Sequence, residues 1–317
     1  MTTDTSVPIA ANGDVYLLVG PDSKRLRVSS QILRNASTYF HNLFGPNFAE
    51  GQNLSSSEPK EVSMPDDDAR AVETICNIIH LQNDAVPLSL APEEVFEIAV
   101  AADKFACASA VKLASIFWLK TSGTEVQVVS ELAHLMGAAY ILDNGDAFGE
   151  ITLAMMMRHK ESYLSLPEHL LNFVPWEVLF MLEERRSKLR IKMLQILYDT
   201  GTDAGLENDS RTCSCAWSGR HLLAHTELLN EYNLQPRNIP EMTVAQVIEK
   251  MGRMRDPVVP QPWEPCGYRW HSSPEYGASR GRWLKNELAE EGGLCIDCVK
   301  SCDKGVKVEC RKIHKAQ

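Results

Sequence analysis

Seven of the nine cysteines fall after residue 212: Cys213, Cys215, Cys266, Cys295, Cys298, Cys302 and Cys310. His221, His225, His271 and His314 share that stretch. Soft thiolates clustered with imidazoles are the donor set that tetrahedral zinc requires. The strongest local pattern is Cys295-x2-Cys298-x11-Cys310-x3-His314. The x2 spacing lets one turn present two sulfurs to a single ion. The x3 spacing puts Cys310 and His314 one helical turn apart on one face. A second group is Cys213-x-Cys215 with His221 and His225, and with Cys266 and His271 further on. A mixed shell of Cys213, Cys215, Cys295 and Cys298 has the same donor types. Spacing does not choose among these pairings, and Cys302 is spare in each. Zinc held by four protein ligands keeps no open position for water, so the expected role is structural.

The elements around these ligands are few. Arg220 to Tyr232 reads as a helix, which places His221 and His225 on one side at i, i+4. Asp256-Pro-Val-Val-Pro-Gln-Pro-Trp-Glu-Pro265 is a stiff, proline-rich link. Gly277-Ala-Ser-Arg-Gly281 reads as a loop. With so little apolar material, a metal worth about 10–16 kcal/mol in small peptides would fix this end of the chain. Residues 295–317 hold six bases and three acids. A short basic tail reads as a solvated end, with nucleic-acid binding as its alternative.

The whole chain has 317 residues, 44% hydrophobic and 23% charged, which is ordinary globular composition. Its formal charge of −10 repels phosphate and disfavours a general nucleic-acid or acidic-membrane binder. Met1 to Asp14 lacks a basic and apolar leader, and no stretch approaches 18 uninterrupted apolar residues. The expectation is a reducing compartment, cytoplasmic or nuclear, where thiols bind metal or pack. The sequons at Asn35, Asn53 and Asn208 are then chance matches.

Residues 14–19 and 24–28 read as a hairpin across Gly20-Pro-Asp-Ser23. Ser29 or Ser30 caps a helix whose apolar face runs from Ile32 to Phe44, and Gly45-Pro46 stops it. Glu61 to Met64 is a short strand. Asp66 then caps a helix with Val72, Ile75, Cys76 and Ile79 inside. Two more helices follow, after Pro92 and from Ser109 to Leu119. Few strands covered by helices make an α+β pattern. A sheet this small leaves edges and an apolar flank that self-association would bury. Cys76 and Cys107 read as small buried hydrophobes, His41 as solvated, and His80 as a satisfied helix-end histidine.

Asp14-Val15, Arg27-Val-Ser-Ser-Gln-Ile-Leu33, Ser37-Thr-Tyr-Phe40, Leu43-Phe44 and Phe48-Ala-Glu-Gly51 together resemble the opening boxes of BTB/POZ domains. Ile78-Ile-His-Leu-Gln82, Val86-Pro87 and Ala101-Ala-Asp-Lys-Phe105 resemble the later ones. Ile79-His80 before Val86-Pro87 is similar to the filamentous-fungal class, which often carries cysteines after the domain. The resemblance implies a BTB/POZ fold over residues 13–120 and a protein-interaction module that forms homodimers and is not an enzyme. It implies an interaction set at Asp14, Val72, Glu73, Ile79 and His80. Many relatives act as substrate adaptors for cullin-type ubiquitin ligases; others recruit corepressors. Two departures bear on that choice. The transcription-factor branch pairs the acid at Asp14 with a base, and here the aligned residue is Ser30. The cullin-binding branch has a hydrophobic-x-Glu signature, which Ala71-Val-Glu73 matches weakly.

A helical extension is expected over 121–206 and a zinc-stapled Cys/His-rich region over 207–317. Met155-Met-Met157 reads as gap-filling core. Arg185, Arg186, Lys188, Arg190 and Lys192, beside Glu183 and Glu184, read as a solvated, salt-bridged face. The helices after such a domain resemble adaptor extensions, which prop the dimer or the cullin contact. The chain has no Gly-rich phosphate loop, His-Glu-x-x-His or Gly-x-Ser-x-Gly. The expected function is tethering of an unknown client protein by a dimer, with a cullin as the implied partner. The alternative is a transcription-linked regulator whose Cys/His-rich tail binds nucleic acid.

Overall fold

The structure is a computed structural model. It describes residues 6–120, 128–206, 217–259, 276–290, 292–304 and 310. Its chain divides into two compact units. Unit 1 is Met1–Ile151, Leu166–Pro175 and Cys295–Gln317; unit 2 is Thr152–Ser165 and Trp176–Leu294.

Unit 1 starts from four strands: β1 (Val7–Pro8), β2 (Val15–Val19), β3 (Lys24–Val28) and β4 (Lys60–Met64). Their spatial order is β1-β3-β2-β4. The expected hairpin is present, with β2 and β3 antiparallel and Val15 opposite Val28. Gly20 turns it at φ +76°, a value that suits a residue with no Cβ. β1 and β4 each join in parallel, so the sheet is mixed. Val15, Leu17, Val19, Leu26 and Val28 are fully buried under the helices that follow.

The apolar run from Ile32 to Phe44 is not one helix. α1 (Ser30–Ala36) ends at Ser37, whose backbone is extended, and α2 (Thr38–Leu43) begins after it. Ser37 Oγ accepts from the Phe40 N–H at 3.0 Å and donates to the Phe105 carbonyl at 2.5 Å. The apolar spacing continues across the break, so periodicity alone hides it. α3 (Ala69–Ile79) is capped by Asp68, not Asp66: Asp68 Oδ1 accepts from Ala71 N–H at 2.7 Å. α4 (Pro92–Lys104) starts on its proline, and Glu94 reaches back to the Ala91 N–H. α5 (Ala108–Trp118) is held at its end by Trp118 Nε1–H on the Pro87 carbonyl.

α6 (Val129–Ile141) packs along α4. Gly137 makes this possible, because a Cβ there would lie 2.7 Å from Phe96 Cε2. α7 (Gly145–Arg158) follows, with Met155 and Met156 fully buried as expected of gap-filling core.

Unit 2 is built on the long α8 (Trp176–Leu206), against which α9 (Trp217–Glu231), α10 (Val244–Arg253) and α11 (Tyr276–Glu290) pack. Met193, Leu197, Leu228, Val247, Met251 and Leu284 share its core. Gly277 to Gly281 opens α11 and is not a loop. The basic cluster on α8 also differs from a uniform solvated face. Arg186 is 2% exposed, lies over the Tyr163 ring and donates to the His159 and Glu161 carbonyls. Arg190 donates to the Pro240 and Met242 carbonyls. Lys188, paired with Glu184, fits the expected exposed i, i+4 pattern. The last helix, α12 (Ile296–Lys304), belongs to unit 1.

Candidate functional site

The residues implied as an interaction set lie within one domain, in different settings. Asp14 accepts from the Ser30 N–H at 2.8 Å and from Ser30 Oγ–H at 2.6 Å. A small hydroxyl therefore satisfies the carboxylate where a basic partner would otherwise be needed. Glu73 pairs with Lys24 at 2.7 Å. Val72 and Ile79 are buried on the inner face of α3. His80 caps the end of α3 with both ring nitrogens engaged. Its Nδ1–H donates to the Cys76 carbonyl at 2.8 Å, and its Nε2 accepts from the Ser29 N–H at 3.0 Å. Burial holds its pKa below the usual histidine value.

The outer surface of the domain carries apolar side chains. On α5, Leu113, Ile116 and Phe117 stand at i, i+3 and i+4, with Leu113 77% and Phe117 56% exposed. Ile32 on α1 and Tyr39 on α2 are also exposed. The sheet edges are less open than expected. β1 covers one edge of β3 and contains Pro8, which has no N–H to donate. A groove of about 360 Å³ beside α3 and α4 is lined by Asp68, Arg70, Glu93, Glu94 and Glu97. Burial, then Asp68, raises the Glu97 carboxyl above its usual range.

The cysteines form the second feature. Cys295, Cys298 and Cys310 place their sulfurs within 4.8 Å of one another. Cys298 Sγ lies 3.4 Å from Cys310 Sγ, too far for a disulfide. Sulfurs bound to one zinc at about 2.3 Å stand about 3.8 Å apart, so the cluster has the right size. The Cys295 carbonyl accepts the Val299 N–H, which makes it the N-cap of α12 and sets Cys298 in the first turn. Positive partial charge at a helix N-terminus favours thiolates. Burial and the neighbouring sulfurs nevertheless push the Cys298 thiol up to about 12. A cation reverses that effect, because it rewards the clustered negative charge that crowding penalises. Lys300 anchors α12 by pairing with Asp143 and lying over the Tyr140 ring.

His314, Cys213, Cys215, Cys266 and His271 lie outside the described residues, as does the side chain of Cys302. His221 and His225 are described, both buried on α9. Cys76 and Cys107 are buried as expected. Burial pushes the Cys107 thiol up to about 12 and raises Cys76 further. Sequence reading missed one imidazole pair. His134 Nδ1–H donates to the Ser130 carbonyl, and its Nε2 lies 3.2 Å from His169 Nε2. Thirty-five positions separate the two rings, and no local spacing signals their meeting.

No described helix is long and apolar enough to cross a membrane. The family model of the BTB/POZ domain matches residues 10–122. No curated protein matches the chain.

Proposed function

Residues 10–122 are a BTB/POZ domain, a protein-interaction module, and from that premise we propose that the chain is a dimeric adaptor. The observation that carries this proposal is the domain match together with the outward apolar stripe of α5. Two of the apolar areas that the domain presents carry the proposal. Ile32 and Tyr39 on α1 and α2 suit contact with a second copy, since a two-fold axis doubles a modest patch. The larger stripe of Leu113, Ile116 and Phe117 suits a different protein, and a cullin-type ligase subunit is the one the domain suggests. The interaction residues Asp14, Val72, Glu73, Ile79 and His80 then act by holding these helices in place. Dimerisation raises the effective concentration of a bound client, which is the mechanism of a tether. The three-part division at 120 and 206 belongs to this proposal, with the helices after the domain as its brace.

Light scattering tests it directly. The chain is expected at twice its monomer mass, and Ile32→Glu with Tyr39→Glu is expected to halve that mass. Leu113→Asp with Phe117→Asp should leave the mass unchanged but abolish capture of a purified cullin. A wild-type monomer at high concentration, with no cullin bound, sinks the proposal.

Cys295, Cys298 and Cys310 hold one structural zinc in the same proposal, with His314 as the fourth ligand. Support comes from the sulfur spacing and from the donor set. Purified protein should carry this equivalent, and Cys298→Ser should lose it by elemental analysis.

A further inference from the structure

We infer that Cys298 and Cys310 are an oxidation site, a thiol pair that a peroxide converts to a reversible disulfide. Their Sγ atoms stand 3.4 Å apart. Two sulfurs that share one zinc stand about 3.8 Å apart, so this pair is closer than a metal alone would set. A disulfide needs about 2.05 Å, which leaves about 1.4 Å to close. Both side chains are half-buried, so a small oxidant can reach them. Cys76 and Cys107 are the contrast, because the core of the domain shields both. Cys295 is the competing partner, with its sulfur within 4.8 Å of the other two. A Cys295–Cys298 bond would close one turn at the start of α12. The contact at 3.4 Å instead joins positions twelve apart, so its bond would tie Cys310 covalently to α12.

The step balances with hydrogen peroxide as the oxidant. One sulfur of the pair attacks a peroxide oxygen as its thiolate, and the O–O bond breaks. That sulfur becomes a sulfenic acid, and the departing hydroxide takes up the thiol proton to leave as water. The second sulfur then attacks the sulfenic sulfur. The S–S bond forms and the S–O bond breaks, and the hydroxyl leaves as a second water with the proton of the attacking thiol. The two thiols lose two electrons and two protons, and one peroxide becomes two waters. A neighbouring thiol at contact distance makes the disulfide faster than further oxidation to the sulfinic acid. The inference goes beyond the zinc reading and stands without it. A bound zinc would be released by this bond, because two of the three described sulfurs would no longer be thiolates.

The experiment treats the full chain, stripped of metal by a chelator, with a small excess of hydrogen peroxide. Remaining thiols are then alkylated, and the protein is digested for mass spectrometry. A crosslinked peptide joining Cys298 to Cys310 is expected, and dithiothreitol should restore both thiols. Cys302→Ser should keep this crosslink, and Cys310→Ser should abolish it. A wild-type chain that closes Cys295–Cys298 in its place overturns the inference. So does oxidation to sulfinic acid with no disulfide, or a crosslink that dithiothreitol does not open. Should Cys310→Ser fail to fold, the mapped bond in the wild-type chain decides. A second arm treats the chain loaded with zinc, where one equivalent should leave for each disulfide formed. A chain that takes up no zinc fails the zinc reading alone, because the metal-free arm still reads the crosslink.

Discussion

His80 ties two segments through one imidazole: the last turn of α3 through the Cys76 carbonyl, and the start of α1 through the Ser29 N–H. Burial depresses its folded-state pKa below the unfolded value of 6.5. The neutral ring is therefore the form that stabilises the fold. That stability is complete above pH 6.5 and is lost as pH falls through the folded pKa, because the unfolded chain binds the proton first. His80→Gln should cost about 1–3 kcal/mol at pH 7.5, the value of a buried donor left unmet. The gap between wild type and variant should shrink in urea melts at pH 5. A gap that widens towards acid would show that the ring is charged in the fold. Cys76 and Cys107 make a second case at this scale. Their raised pKa values leave almost no thiolate at pH 8, so neither should react with a thiol reagent until the domain unfolds. Cys295 and Cys310, half-buried, should react in the native state once the proposed metal is stripped, and Cys298 more slowly, because its thiol is held up at about 12.

Helix pairing here turns on what one methyl group would meet. Alanine is worth up to about 1 kcal/mol over glycine in a helix interior. At Gly252 on α10 nothing lies within 4 Å of an added Cβ, so Gly252→Ala should raise stability. At Gly137 the added Cβ would strike the buried Phe96 ring, and overpacking costs about 1–3 kcal/mol. Gly137→Ala should therefore lower Tm although helix propensity rises. Calorimetry of the two variants checks the opposite signs. The same elements show how far sequence reading reaches. β2, β3 and the inner faces of α3 and α4 were legible because their period is local. β1 was not, since two residues ending in proline carry no period. α11 was hidden by Gly277 and Gly281, which read as breakers, yet Asp256 accepts the Gly277 N–H and secures the first turn. In the candidate sites, Cys295-x2-Cys298 was visible as spacing. Arg186, Arg280 and the His134–His169 pair depend on contacts between distant positions, which spacing does not encode.

At the scale of the whole chain, charge separates the adaptor proposal from its nucleic-acid alternative. A protein of net charge −10 that meets its own copy brings like charges together. Salt screens that repulsion, with a Debye length of about 10 Å at 0.1 M. The apolar contacts proposed for Ile32 and Tyr39 would lose nothing to salt, so they would remain as repulsion fades. Self-association should therefore tighten between 50 and 300 mM sodium chloride, by about two- to fivefold for a repulsion spread over a whole surface. Binding of the basic tail to nucleic acid would respond in the opposite sense, because releasing counterions is what drives it. Sedimentation equilibrium across that salt range measures the first response, and filter retention of duplex DNA the second. A dimer that dissociates as salt rises would mean that ion pairs, and not the apolar side chains of α1 and α2, hold the two copies together.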